Sequence, residues 1–240
     1  MYETWVLASA MFVVLLGAAL QGSIGFGFAV LSAPLLTLLD PNFVPVAPQI
    51  IALPMSLAAL LRERGGVDMA GVGWIIAGRV PGALIAAAVL SFAVGRALDA
   101  LIGGIVLVAV LLLAGGIRVP LNGVTRFAAG VFSGFSGTAS AIGGPPVALL
   151  YRDQTGPTVR STLGTIFAIG IVINLVVLTA TGILDQDDIT TALMLAPAAT
   201  LGFAGSSLLH RRVEGRVLRN GILVVATASA IGLLARATFG

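Results

Sequence analysis

The chain has 240 residues, of which 58% are hydrophobic and only 10% charged. Soluble domains carry roughly 25% charged residues, so a water-soluble enzyme or nucleic-acid-binding domain is excluded and a membrane-embedded chain is indicated. The formal charge of +3 comes from 13 basic residues, all arginine, and the lack of cysteine excludes disulfides and cysteine-ligated metal.

Met1-Tyr-Glu-Thr-Trp5 has an acidic residue and no basic n-region, which is unlike a signal peptide, so the apolar stretch behind it is expected to stay in the mature protein. Tyr2 and Trp5 suit an interfacial anchor. The first apolar run, Thr4–Leu39, is too long for one span of about 20 residues. It is interrupted at Gln21-Gly-Ser-Ile-Gly-Phe-Gly27 and again at Pro34. Runs over 43–61, 69–92 and 97–116 each fit one spanning helix. The fifth run, 127–151, is interrupted like the first, at Ser133-Gly-Phe-Ser-Gly137 and Gly143-Gly-Pro-Pro146. Runs over 159–184, 189–209 and 217–235 complete the chain. Glycine and proline this dense inside an apolar run predict interrupted helices, tolerated where backbone is buried in protein or lines a cavity.

The two interrupted runs resemble each other. Gly22, Gly25, Ala29 and Pro34 fall on Gly134, Gly137, Ala141 and Pro146 at an offset of 112, and Gly95-Arg-Ala-Leu98 falls on Gly215-Arg-Val-Leu218 at 120. This predicts two repeats, residues 1–116 and 117–240, each an interrupted helical hairpin followed by three transmembrane helices. A hairpin that enters and leaves on one side gives each half an odd number of crossings, so the second half is inverted. With both termini outside, ten arginines lie inside and only Arg96 and Arg236 outside, as the positive-inside bias requires. Glu3 and the acidic turn Asp185-Gln-Asp-Asp188 then face out. The expected fold is an all-α integral membrane protein of two inverted repeats, the architecture of secondary transporters with midplane binding sites.

In the order Gln21-Gly-Ser-Ile-Gly-Phe-Gly27 with Pro34, then Ser133-Gly-Phe-Ser-Gly137 with Gly143-Gly-Pro-Pro146, the chain resembles the TauE/SafE family of sulfite exporters and sulfonate permeases. Length and the two-half layout agree. The chain departs from that pattern in carrying Gly25-Phe-Gly-Phe28 where members often have a longer glycine run. The resemblance implies transport of sulfite, sulfonates or related organic anions across the bacterial inner membrane.

A helix break offers free N–H groups and the positive end of a helix dipole to an anion. The site is therefore expected where the segments 22–34 and 134–146 meet. Gly22, Gly25, Gly27, Gly137, Gly143 and Gly144 would admit the anion, and Ser23, Ser136 and Thr138 would donate hydroxyls. Pro34, Pro145 and Pro146 would mark the breaks. The competing reading is that these small residues only permit close helix packing. Arg79 stands midway through 69–92, where a charged residue is costly and normally faces the bundle interior or a wet cavity. It is expected to bind the anion, with capping of carbonyls freed by Pro81 as the alternative. Asn174 is expected to line the path or to bond a neighbouring helix. Arg160 is placed at the cytoplasmic mouth, as an anion attractant or a topology-setting surface residue.

No carboxylate lies deep in a span and the only histidine, His210, lies near an inner helix end, so no proton relay is evident. There is no Gly-rich ATP-binding motif. No cofactor or metal is expected. The partners are a small anion and the lipid bilayer, with a homo-oligomer left open. Two other functions compete. Gly134-Phe-Ser-Gly137 fits the nucleophile motif of an intramembrane serine protease, with Ser136 needing His210 as base. An anion channel, or a membrane subunit of a larger complex, is the other.

Overall fold

The computed structural model describes residues 2–24, 27–62, 66–115, 118–154, 157–212 and 215–239. Within them the chain is all-helical: α1 Thr4–Ile24, α2 Phe28–Leu39, α3 Val46–Arg62, α4 Met69–Leu90, α5 Arg96–Ala114, α6 Gly123–Ser140, α7 Gly144–Leu150, α8 Pro157–Ala180, α9 Gln186–Arg212 and α10 Gly215–Phe239. A 3-10 turn, Pro41–Phe43, leads into α3. Among the described residues six helices are long and apolar enough to cross a membrane: α1, α4, α5, α8, α9 and α10. This is a multi-pass membrane protein.

In the run at 43–61 the 3-10 turn and Pro45 delay the helix to Val46, so that α3 has 17 residues. α1, the first arm of the expected hairpin, has 21 residues and is by length and composition enough to cross. Pro34 does not mark a break. It sits inside α2, where the helix tolerates the loss of one backbone hydrogen bond, and the interruption falls earlier, between Ile24 and Phe28.

Each hairpin starts and finishes on one side. Tyr2, just before α1, stacks on Phe43, just after α2, with ring centroids 4.6 Å apart. At the other hairpin, Arg126 in the first turn of α6 and Tyr151 at the end of α7 both donate to Asp68, at 2.6 and 3.1 Å. Asp68 also caps the start of α4 through the Gly71 N–H. Tyr2 instead lies in a cavity with Leu90, at the far end of α4. The two hairpins therefore open at opposite ends of α4, about 33 Å apart for a helix of 22 residues.

The tightest packing joins α4 to α6 and α1 to α9, with α5 on α10 and α3 on α8. Glycines set the first of these. Gly78 and Gly82 on α4 press on the backbone of Phe127 and Val131, and Gly130 and Gly134 on α6 press on the backbone of Ile75 and Arg79. Both pairs have i, i+4 spacing, so each puts two small residues on one face and lets the backbones approach. On the other side Gly202 of α9 presses on the Leu15 carbonyl of α1, as Gly82 of α4 does on that of Val131. That match pairs the hairpin helices at an offset of 116, and the helix ends Ile24 and Ser140, or the starts Phe28 and Gly144, differ by 116 as well. The matching glycines of the sequence stand 112 apart, about one helical turn from this 116.

Candidate anion site

Between the hairpins lies a cavity of about 70 Å³, room for a few waters or one small ion. Gly27 to Val30 line it from the first break, and Gly137 with Ala141 to Pro145 from the second. Arg79 enters from α4, Phe167, Ile171 and Asn174 from α8, and Ala52 and Ser56 from α3. These positions are near the middle of α3, α4 and α8, so the cavity sits at half depth.

Arg79 is 2% exposed. Its Nη1 donates to Ser133 Oγ at 2.6 Å, and Ser133 Oγ donates in turn to the Gly143 carbonyl. Nε is buried with no hydrogen-bond partner among the described residues. Among the described residues no carboxylate pairs with this guanidinium. The capping role at carbonyls freed by Pro81 is not the geometry found, since the bond runs to a serine of α6. Space for the guanidinium is made by glycines. A Cβ at Gly170 would overlap it, and Cβ atoms at Gly137 and Gly143 would stand 3.1 and 3.2 Å from Nη2.

Asn174 is 1% exposed, its Oδ1 has no partner among the described residues, and its Nδ2 lies beside Gly137. At the first break, Gln21 Oε1 accepts from the Phe28 N–H at 3.3 Å. The next residues of α2, Ala29 and Val30, line the cavity, so the positive end of α2 faces it. In α7 the second and third residues are Pro145 and Pro146, which have no N–H to offer. The prolines that flagged this break in the sequence thus remove the donors expected of it.

Of the residues singled out from sequence, Gly27, Arg79, Gly137, Gly143, Gly144, Asn174 and Pro145 come together at the cavity. Others do not. Gly22 packs against Ser206 of α9, and Ser23 Oγ donates to the Ala19 and Ser206 carbonyls. Ser136 bonds the Phe132 carbonyl of its own helix, and the Thr138 hydroxyl is buried without a partner. Pro146 is buried in α7. Arg160 is exposed in the first turn of α8, away from the cavity. Gly25 and the His210 side chain lie outside what the structure describes. Sequence reading missed Ser133, Gln21 and Gly170 as site residues. Gly170 and Asn174 are one turn apart on α8, and Ser133 and Gly137 one turn apart on α6, so i, i+4 pairs of small and polar residues were the available signal.

A second, larger cavity of about 770 Å³ opens at the Tyr2 end. Asp40, Asp185, Asp187 and Asp188 line it, and Tyr2 OH lies 3.2 Å from Thr191 Oγ1. Above it, Arg236 binds Asp99 through Nε and Nη2 and donates to the Thr37 and Leu38 carbonyls at the end of α2.

The family profile described as "Sulfite exporter TauE/SafE" matches residues 10–233, nearly the whole chain. No curated protein and no solved structure gives a match.

Proposed function

The chain belongs to the TauE/SafE sulfite exporter family, and we propose that it is a secondary transporter that carries small sulfur oxyanions, such as sulfite or sulfonates, through the half-depth cavity. One observation carries this reading: a buried guanidinium without a carboxylate partner points into the space where the two helix breaks converge. A buried cation is costly unless a counter-charge neutralises it, and an anionic substrate is the natural one. Arg79 supplies the charge. Asn174 Nδ2 and the first-turn N–H groups of α2 supply further donors, and Gly137 and Gly143 let the anion approach the guanidinium. Ser133 is a positioning residue, fixing Arg79 to the second break.

The reading includes two inversely oriented halves, residues 1–116 and 117–240. Their support is the exchange of packing partners between halves and the opposite openings of the hairpins. The arginine distribution favours both termini on the periplasmic face of a bacterial inner membrane, with the Asp68 end cytoplasmic. In that orientation the large acidic cavity is periplasmic, and the cytoplasmic end is tied by Asp68, Arg126 and Tyr151. Inside-negative potential drives anion export without a second titratable group in the cavity.

The test is ligand-induced thermal stabilisation of the detergent-purified protein with sulfite, sulfate, thiosulfate, taurine and sulfoacetate, each repeated on Arg79→Ala. We expect a rise in melting temperature with at least one sulfur oxyanion that disappears in the variant. Shifts unchanged by the substitution would take Arg79 out of the mechanism, and no shift with any anion would return the glycines to pure packing.

A further inference from the structure

The charge count of the half-depth cavity decides which sulfur anions it accepts. Arg79 is the only ionisable side chain among the described residues that line it, and its protein partner, Ser133, is neutral. Phe28, Val30, Ile142 and Phe167 make much of the remaining wall apolar. The helix termini do not change the balance. Each break sets the negative end of one helix, α1 or α6, beside the positive end of the next, α2 or α7. Fractional charges of about half a unit at such ends largely offset one another. The empty site therefore holds one uncompensated positive charge.

We infer that the transporter selects monoanions, taking hydrogensulfite or a small sulfonate and discriminating against sulfate and fully deprotonated sulfite. This rests on the anion site proposed above. A monoanion brings the buried site to neutrality, whereas a dianion leaves a net negative charge in an apolar cavity. An unpaired buried charge is destabilised by several kcal/mol, which leads us to expect at least about a tenfold preference. The approach from the Tyr2 end acts in the same sense. On α3 the acidic cavity reaches Val46 and the half-depth cavity Ala52, six residues or about 9 Å apart along a helix. Asp40, Asp185, Asp187 and Asp188 line the acidic cavity and repel a dianion twice as strongly as a monoanion. Sulfite then couples to pH with no change in the charge of Arg79, because its own second proton decides whether it fits.

Equilibrium binding to the purified wild-type protein by calorimetry tests this with three ions. Methanesulfonate is a monoanion and sulfate a dianion throughout, and sulfite changes between the two. Measurements are made about one pH unit below and about one above the second pKa of sulfurous acid. Methanesulfonate should bind equally at both, sulfate at least about tenfold more weakly, and sulfite several-fold more weakly at the higher pH. Asn174→Lys, which adds a second cation beside Arg79, should narrow the gap between sulfate and methanesulfonate. Sulfate binding as tightly as methanesulfonate would overturn monoanion selection and leave the anion site standing, as would sulfite affinity that holds or rises with pH. Failure of all three ions to bind would overturn the anion site itself, and this inference with it.

Discussion

In the first hairpin the break is neutral: Gly27 takes a left-handed turn at φ 113°, and the Gln21 amide accepts the first N–H of α2. In the second, Ala141 holds the left-handed turn at φ 64°, and a cation from α4 is fixed to the break through Ser133 and the Gly143 carbonyl. With the hairpins matched at 116, Gln21 corresponds to Gly137. With Gly202 matched to Gly82, Arg79 corresponds to Ala199. Residues 1–116 thus carry both large polar side chains, Gln21 and Arg79, and residues 117–240 carry small residues, Gly137 and Ala199, at the matching positions. The far ends differ too. The first hairpin is anchored by a cation on the closing carbonyls of α2, the second by an anion that gathers Arg126 and Tyr151.

The largest effect that would break this comparison is at the first anchor. Arg236→Met strips Asp99, which is 5% exposed, of its partner and frees two α2 carbonyls. Orphaning a buried charge costs about 3–5 kcal/mol, and thermal melting should fall accordingly while the Arg79-dependent anion response persists in the folded fraction. Loss of that response would mean that the two ends of the first hairpin are coupled. Next in size is Gly170→Ala, whose Cβ would overlap the Arg79 guanidinium. Overpacking of this kind costs about 1–3 kcal/mol, and anion affinity should drop with it. Gly205→Ala on α9, where nothing stands within 4 Å of the added carbon, should change stability by about 0.5 kcal/mol or less. Equal melting temperatures for the two variants would show that Arg79 can leave its glycine cradle freely. The smallest effect compares the two turns. Ala141→Gly should relieve, and Gly27→Ala should add, about 1 kcal/mol of left-handed backbone cost. Chemical denaturation of the two variants measures it, and the same sign for both would deny that the turns are held alike.

Much of this was legible along the chain. Apolar runs gave the class and nearly every helix, because a bilayer forces about 20 residues of one kind into each span. Arg79 stood out for the same reason, as a charge in a place where charge is expensive. The glycines were not separable. Gly78, Gly82, Gly130 and Gly134 serve helix packing, whereas Gly137, Gly143 and Gly170 make room for a guanidinium. Locally these look the same, since a missing Cβ acquires meaning only from what the opposite helix puts in its place. Pro34 misled because proline lowers helix stability wherever it stands, and only the surrounding bundle decides whether a helix accepts it.

What the sequence determined by itself is the membrane-embedded helical class, the two interrupted runs and the single arginine at half depth. These follow from hydrophobic thickness and the cost of burying charge, which act on a segment without reference to its neighbours. What only the tertiary structure decided is the partner of that arginine, the register of the hairpins and which break offers N–H donors. Those depend on helices far apart in the chain, such as α4, α6 and α8, meeting within hydrogen-bond distance, and no local pattern encodes that meeting.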